Sequence, residues 1–273
     1  MIDIKKIAII GAGNIGSALA EGLSSTPEFQ EKNIYLTRRS IDKLATFSEA
    51  GFKTTDNNIE AVSNSSIIIL CVEPQQAQEV LKEIGPVLDK GKHLFISIVS
   101  GLSIAQIRDQ IQAKINIIRA MPNTAIVIGE SMTCLAAQNI EKEFISVAKN
   151  IFNAVGETLI IKEEQMAGAT SLGACGIAFF LRAIRAASQG GIEIGFHADE
   201  ALKIAAHTAK GASALLTSSG GHPESEIDRV TTPRGCTISG LNEMEHSGFS
   251  SALIKGIKIS ADRAARLYTN KKD

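Results

Sequence analysis

Short apolar runs recur along the first part of the chain, with segments of helical spacing between them. Lys6 to Ile10 reads as a strand, followed by a helix from Ile15 to Ser24. Asn33 to Thr37 reads as a second strand, and Ile67 to Val72 as a third clear one. The third is continuously apolar rather than alternating, as expected of a parallel strand covered on both faces. Beyond it come a helix over Gln75 to Ile84, a strand over His93 to Ile98, a helix over Ile104 to Ile111 and a strand over Ile115 to Arg119. Ser131 to Ala136 and Thr158 to Ile161 read as two more strands around a helix from Glu141 to Phe152. Strands alternating with helices imply βαβ units and a doubly wound sheet.

After Ile161 the pattern is helical. Met166 to Gly190 is rich in alanine, Asp199 stands where a helix N-cap is expected before a helix to about Ser218, and shorter and longer helices follow over Glu224–Val230 and Phe249–Asn270. Composition sharpens the division. Residues 1–161 hold 28 Ile and 8 Val but 16 Ala, whereas residues 162–273 hold 10 Ile, 1 Val and 18 Ala. Beta-branched residues favour strands and alanine favours helices. The expected fold is therefore α/β: a Rossmann-like doubly wound domain over 1–161, then an all-helical domain over 162–273. No Pro/Gly/Ser-rich linker separates them, and there is neither an internal repeat nor a low-complexity tract.

Charge narrows the partners. Lys and Arg number 28 against 29 Asp and Glu, without the basic excess that drives nucleic-acid binding. Cys71, Cys134, Cys175 and Cys236 show no metal-ligand or redox spacing. The N-terminal apolar run is short and ends in glycines, so it reads as a strand rather than a signal peptide. The longest aliphatic run, Ile67 to Val72, is far from the roughly 20 residues that cross a bilayer. The expectation is a reduced cytoplasmic protein with no membrane partner.

The first strand leads into Gly11-Ala-Gly-Asn-Ile-Gly16, a GxGxxG sequence at the start of a helix. Gly11 permits the tight turn, Gly13 lets the backbone approach a pyrophosphate, and Gly16 allows close packing of helix on strand. The helix start offers free N–H groups to phosphate. A site for NAD normally has an acid about 20 residues on, to hold the ribose hydroxyls. Here that place reads Thr37-Arg38-Arg39-Ser40. Guanidiniums and hydroxyls suit a 2′-phosphate, so NADPH is expected in preference to NADH, with a solvated strand end as the plain alternative.

His93, His197, His207, His222 and His246 show no metal-site spacing and read as surface or packing residues; no metal site is expected. The densest unusual segment is Val230-Thr-Thr-Pro-Arg-Gly-Cys-Thr-Ile-Ser-Gly-Leu241. Exposed N–H groups at such a turn bind a carboxylate and threonine hydroxyls donate or accept. On chemistry alone a capped helix start, with Thr237 as the N-cap, explains it equally well.

With this segment the chain resembles the pyrroline-5-carboxylate reductase family. The family signature lies at 232–241 and continues through Glu243 to Ser247-Gly248-Phe249. GAGNIG at 11–16, VEPQ at 72–75, SGLSI at 100–104, RAMPNT at 119–124 and HP at 222–223 fall in the family order. The resemblance implies a Rossmann domain followed by a helical dimerisation domain, a homodimer through the C-terminal helices with larger rings of dimers in some members, and an active site formed by both parts. It matches Gly11, Gly13, Asn14, Ile15 and Gly16 to the phosphate loop, and Arg38, Arg39 and Ser40 to the 2′-phosphate. Asn58 matches the adenosine side, Val72 and Pro74 a cofactor-lining turn, and Ser100, Gly101 and Asn123 the nicotinamide side. Glu163 matches an acid facing the substrate, Thr232 and Thr237 a hydroxyl pair beside it, and the Gly235-Cys236-Thr237 backbone its carboxylate cradle. Departures are Glu73 where the family has Lys, Arg234 where it has Gly, and Gly173–Phe179, which keeps only part of the family's SGSGPAY run. The reaction implied is hydride transfer to a cyclic imine, giving proline. Other readings are a hydroxyacid or ketopantoate-type reductase using Lys203 or Lys210, and a non-catalytic NADP sensor.

Overall fold

The computed structural model describes residues 6–268. Residues 1–5 and 269–273, including the end of the expected helix at 269–270, lie outside the described residues. In chain order the elements are β1 (Ile7–Ile10), α1 (Asn14–Ser24), β2 (Ile34–Thr37), α2 (Ala45–Glu49), β3 (Lys53–Thr55), α3 (Asn58–Ser63), β4 (Ile67–Leu70), α4 (Pro74–Ile84), β5 (Leu94–Ser97), α5 (Ile104–Ile111), β6 (Asn116–Met121), β7 (Ser131–Ala137), α6 (Lys142–Asn153) and β8 (Gly156–Ile160). Helices follow: α7 (Met166–Ala169), a π-helical stretch over Thr170–Cys175, α8 (Gly176–Glu193), α9 (Ala198–Ser219), α10 (Pro223–Val230), α11 (Cys236–His246) and α12 (Phe249–Arg266).

The eight strands form one sheet in the order β3-β2-β1-β4-β5-β6-β7-β8. All pairs are parallel except β6 with β7. Strand side chains alternate between faces, and the sheet has two cores accordingly. Ile7, Ile9, Ile67, Ile69, Leu94 and Ile96 join one buried cluster, which also holds Leu19 and Leu23 of α1 and Ile151 and Phe152 of α6. Ala8, Ile10, Ile68, Leu70 and Phe95 join the other, with Leu81 of α4 and Ile107 of α5. This double burial is why β1 and β4 are uninterrupted aliphatic sequence.

Residues up to Cys175, together with those from Ile259, form one compact unit, and Gly176–Lys258 form a second. That division follows packing. The compositional one at 161/162 follows where strands stop. In the second unit α8 packs along α9. Its apolar side chains stay largely open: Phe180 is 58% exposed, Leu181 59% and Ile194 78%.

Two expectations are revised and one open alternative is excluded. The N-cap of α9 is His197, not Asp199, and Glu200 accepts from the His197 N–H at 3.1 Å to close a capping box. The N-cap of α11 is Gly235, which places Thr237 inside the first turn. The run Glu163–Glu193, with mean hydropathy 1.5, is long and apolar enough to cross a membrane, and only 17% of its most apolar stretch is buried. Glycine and alanine dilute its apolar pattern without interrupting it, so no single aliphatic run betrays it.

Candidate functional site

The C-terminal end of β1 turns sharply at Gly11, which has φ +97. A Cβ there would stand 2.7 Å from Val72 Cγ1, and one at Gly16 2.6 Å from the Gly11 carbonyl oxygen. At Gly13 a Cβ would meet only open space. Two glycines are thus required by the protein's own packing, and the third leaves the backbone bare toward a ligand. Gly13 is also the N-cap of α1, with no side chain capping it, so the first N–H groups of α1 face outward as a phosphate site requires.

The end of β2 holds this turn. The Gly11 and Ala12 N–H groups donate to the Thr37 carbonyl at 3.2 and 2.8 Å. Arg38 Nη1 donates to the Ala12 carbonyl at 3.0 Å. Thr37 Oγ1 donates to Asn58 Oδ1 at 2.7 Å, and Asn58 Nδ2 donates to Glu83 Oε2 at 2.8 Å. The relay from Thr37 to Glu83 fixes which way the Asn58 amide points.

One cleft gathers Gly11, Gly13, Arg38, Arg39, Ser40, Asn58, Val72 and Glu73 from the expected cofactor residues. Asn14, Ile15, Gly16, Pro74, Ser100, Gly101 and Asn123 are not among its lining residues. The cleft also holds Thr37 of the expected strand end, and it brings in Ala12, Asp56, Cys71, Gln76, Glu79, Val80 and Glu83, which sequence reasoning missed. Gln76, Glu79, Val80 and Glu83 recur at helical spacing on α4, a signal available in the sequence once α4 is set beside the glycine turn. Two guanidiniums therefore share the cleft with four carboxylates, Asp56, Glu73, Glu79 and Glu83. Arg38 is engaged by the Ala12 carbonyl, while Arg39 and Ser40 are exposed at the strand end. Apolar packing pushes the Cys71 thiol up from its ordinary range, leaving a neutral wall. A bare glycine turn at a helix start, with a hydroxyl and a guanidinium at the neighbouring strand end, fits a phosphorylated dinucleotide.

Two expected site residues are engaged by the protein itself. Asn123 is 5% exposed; its Oδ1 accepts from the Ala125 N–H at 3.0 Å, and its Nδ2 donates to the Gly173 carbonyl at 3.2 Å. Glu163 Oε1 accepts from the Ile104 N–H, the first of α5, at 2.7 Å, and Oε2 accepts from Gln138 Nε2 at 2.6 Å. Arg119 Nη1 stands 3.5 Å from Oε1, and both side chains are largely buried. Burial presses the Arg119 guanidinium below its ordinary range, and the Glu163 carboxylate pulls it back.

In the second unit the signature forms the turn before α11. The Gly235 N–H donates to the Thr232 carbonyl at 2.9 Å. A Cβ at Gly235 would lie 2.5 Å from Thr232 Oγ1, so this glycine makes room for the threonine hydroxyl. Arg234 holds φ +63, a left-handed conformation unusual for a side-chain-bearing residue. Thr232, Cys236 and Thr237 are exposed. The turn offers two hydroxyls and the open N–H groups of a helix start, which suits a small carboxylate. Lys203 and Lys210, candidates under the other reductase readings, are exposed on α9.

A family model described as pyrroline-5-carboxylate reductase dimerisation matches residues 163–267. One described as NADP oxidoreductase coenzyme F420-dependent matches residues 6–101. The chain is 49% identical over 277 residues to pyrroline-5-carboxylate reductase 1 of Dictyostelium discoideum, covering 97% of this chain and 50% of that protein. It thus spans about half the length of that relative. It is 45% identical to pyrroline-5-carboxylate reductase 2 of the same organism, covering 96% of this chain and 93% of that one. A crystal structure of the Plasmodium falciparum pyrroline carboxylate reductase with NADP bound superposes with a TM-score of 0.88 at 25% identity, covering 98% of this chain and 100% of that chain.

Proposed function

The chain belongs to the pyrroline-5-carboxylate reductase family, and from that premise we propose that it reduces 1-pyrroline-5-carboxylate to L-proline with NADPH, the last step of proline synthesis. The observation that carries the cofactor half is the bare Gly13 cradle beside exposed Arg39 and Ser40, at a strand end that bears no acid. NADP bound in the Plasmodium relative supports the same choice.

Bound NADPH supplies a hydride; the protein's part is to hold and orient. The Gly11–Gly16 turn and the α1 N-terminus bind the pyrophosphate, Arg39 and Ser40 take the 2′-phosphate, and Asn58 faces the adenosine ribose. The substrate is a cyclic imine whose protonated form is already electrophilic, so no strong acid is required. Thr237 hydrogen-bonds the ring nitrogen and keeps its proton in place, with Thr232 beside it. The N–H groups around Gly235, Cys236 and Thr237 bind the carboxylate and select the ring face. Orientation is then the main contribution.

The helical residues act as a homodimerisation domain, and larger rings of dimers are a further arrangement open to it. A partner protomer, rather than lipid, covers the open apolar faces, including the Glu163–Glu193 run. Arg182 and Arg185 stand within that run, and guanidiniums at membrane depth are costly. A cytoplasmic location follows for an enzyme of this kind. Light scattering across a protein dilution series reads the assembly: a dimer or a multiple of it is expected.

The test of function is direct. Purified protein is mixed with pyrroline-5-carboxylate and either NADPH or NADH, and cofactor loss and proline formation are followed together. Proline formation that is faster with NADPH is expected. Absence of proline with both cofactors overturns the reading, and faster turnover with NADH at matched concentration overturns the role given to Arg39 and Ser40.

A further inference from the structure

The segment after α12 returns to the sheet and lies on the loop that follows β5. Gly101, in that loop, has φ +79, and a Cβ there would stand 3.0 Å from Leu267 Cβ and 3.1 Å from the Tyr268 backbone nitrogen. The Leu267–Tyr268 backbone therefore rests directly on Gly101. From there the Tyr268 ring packs against the buried cluster shared by α4 and α5. Its hydroxyl accepts from Gln110 Nε2, near the far end of α5, at 2.7 Å. Gln110 Oε1 is buried with no partner, so the bond to Tyr268 is what fixes that amide. A second brace meets the same loop from elsewhere, since Glu163 Oε1 accepts from the first N–H of α5.

The place of this loop in the sheet gives the contact its meaning. Strand order runs β2-β1-β4-β5. A dinucleotide on a doubly wound sheet lies across the C-terminal strand ends, with its pyrophosphate at the first glycine turn. The end of β2 takes the adenosine side, so the other half extends over β4 and β5. The loop Ile98–Ser103 therefore meets the nicotinamide end. We propose that Tyr268 is a positioning residue for hydride transfer: by resting on Gly101 and tethering Gln110, it holds the β5–α5 loop in the shape that orients the nicotinamide. The proposal rests on the NADPH reading above.

The test uses the full chain with Tyr268→Ala and Tyr268→Phe. Hydrogen–deuterium exchange of the cofactor-free protein over residues 98–112 reads the loop without any reaction. Emission from NADPH at saturation reads how firmly the nicotinamide is held. Turnover with NADPH deuterated at the transferred position reads the hydride step. In Tyr268→Ala the loop should exchange on the order of tenfold faster while β1 and β4 stay protected. NADPH should bind within about threefold of wild type, and kcat should fall roughly tenfold or more with a larger isotope effect, as expected of a misaligned donor. Tyr268→Phe keeps the ring and loses the tether, so it should recover most of the loop protection but less than all of kcat.

Unchanged loop exchange in Tyr268→Ala overturns the proposal. So does a fall in NADPH affinity as large as the fall in kcat, or an unchanged isotope effect. Should Tyr268→Ala not fold, wild-type exchange and wild-type kcat in Tyr268→Phe overturn it equally. If the wild type itself forms no proline, the functional reading fails, while loop exchange and NADPH emission still judge Tyr268.

Discussion

Glu163 offers the sharpest test of how the first unit is held. Its carboxylate accepts two short hydrogen bonds, from the Ile104 N–H at 2.7 Å and from Gln138 Nε2 at 2.6 Å, and faces Arg119 at 3.5 Å. Glu163→Ala removes all three at once. The buried Arg119 guanidinium loses a counter-charge, a loss of about 3–5 kcal/mol when one partner of a buried pair is deleted. The Ile104 N–H loses its acceptor, a penalty of about 1–3 kcal/mol, while the exposed Gln138 amide turns to water. These effects overlap, because one group serves all three, so we expect about 4 kcal/mol for the variant as a whole. Glu163→Gln keeps an oxygen for Ile104 but loses the charge and turns an NH₂ group toward Gln138; about 2 kcal/mol is expected. Urea unfolding, followed by far-UV circular dichroism at one fixed protomer concentration, gives the shift in midpoint and its slope. A loss within roughly 0.5 kcal/mol for Glu163→Ala would refute the reasoning. An unchanged midpoint with a raised KM for the imine would assign Glu163 the substrate-facing role that the family resemblance implies, without the structural one.

Four further outcomes follow from the same geometry. Glu73 is exposed at the N-cap of α4 in the cofactor cleft; Glu73→Lys should tighten NADPH by about 1 kcal/mol at low salt, with the gain shrinking as salt screens it, as read by fluorescence titration at two ionic strengths. Arg39→Ala should raise the NADPH Kd roughly tenfold or more, the loss of one charge-assisted contact, and leave NADH within about twofold; equal loss of both would remove Arg39 from 2′-phosphate recognition. Thr237→Ala should lower kcat on the order of a hundredfold with near-normal NADPH binding, and wild-type turnover would exclude Thr237 from the mechanism. His93 is 1% exposed, and its Nδ1 accepts from the Asp89 N–H at 2.9 Å, so burial and the neighbouring Lys92 push its pKa down. A histidine kept neutral in the native state gives stability that is present above its unfolded pKa, near 6.5, and that falls as pH drops below it. His93→Gln should flatten that acid limb in urea midpoints taken across pH 5 to 8, and an unaltered limb would clear His93 of the effect.

The sheet was legible because its central strands are buried on both faces, which leaves aliphatic runs such as Ile67–Leu70 that nothing else explains. The edge strand β3 was not legible. It is Lys53-Thr-Thr, and its only signature is pairing with Tyr35–Thr37 across space. The phosphate turn was legible because all its requirements are local, three glycines within six residues. The internal partners of Glu163 are not legible for the opposite reason. Its partners lie 59, 44 and 25 residues away, so no window of sequence shows that the carboxylate is already occupied. Residue type alone leaves Thr237 open between the cap of α11 and a ligand-facing hydroxyl. The structure gives that place to Gly235, because Thr232 Oγ1 fills the space a side chain would need.

The two units bury their apolar residues in different ways, and this sets what each can do alone. In the first, β1, β4 and β5 are closed between two helical layers, with nearly every side chain out of water. The cofactor cleft sits on that sheet, so its cradle is formed by a single chain. In the second, Phe180, Leu181, Ile194, Leu202 and Leu215 are each about half exposed or more. Burying one such side chain is worth about 1.5–3 kcal/mol, so this surface is a large reserve that one chain leaves unused. The turn at Thr232–Thr237, to which we assign the substrate carboxylate, belongs to this second unit. A partner copy that covers this surface would also steady the turn, whereas the glycine cradle is built on the closed sheet. Dilution should then weaken imine reduction before it weakens NADPH binding, because the two halves of the chemistry draw their rigidity from different sources.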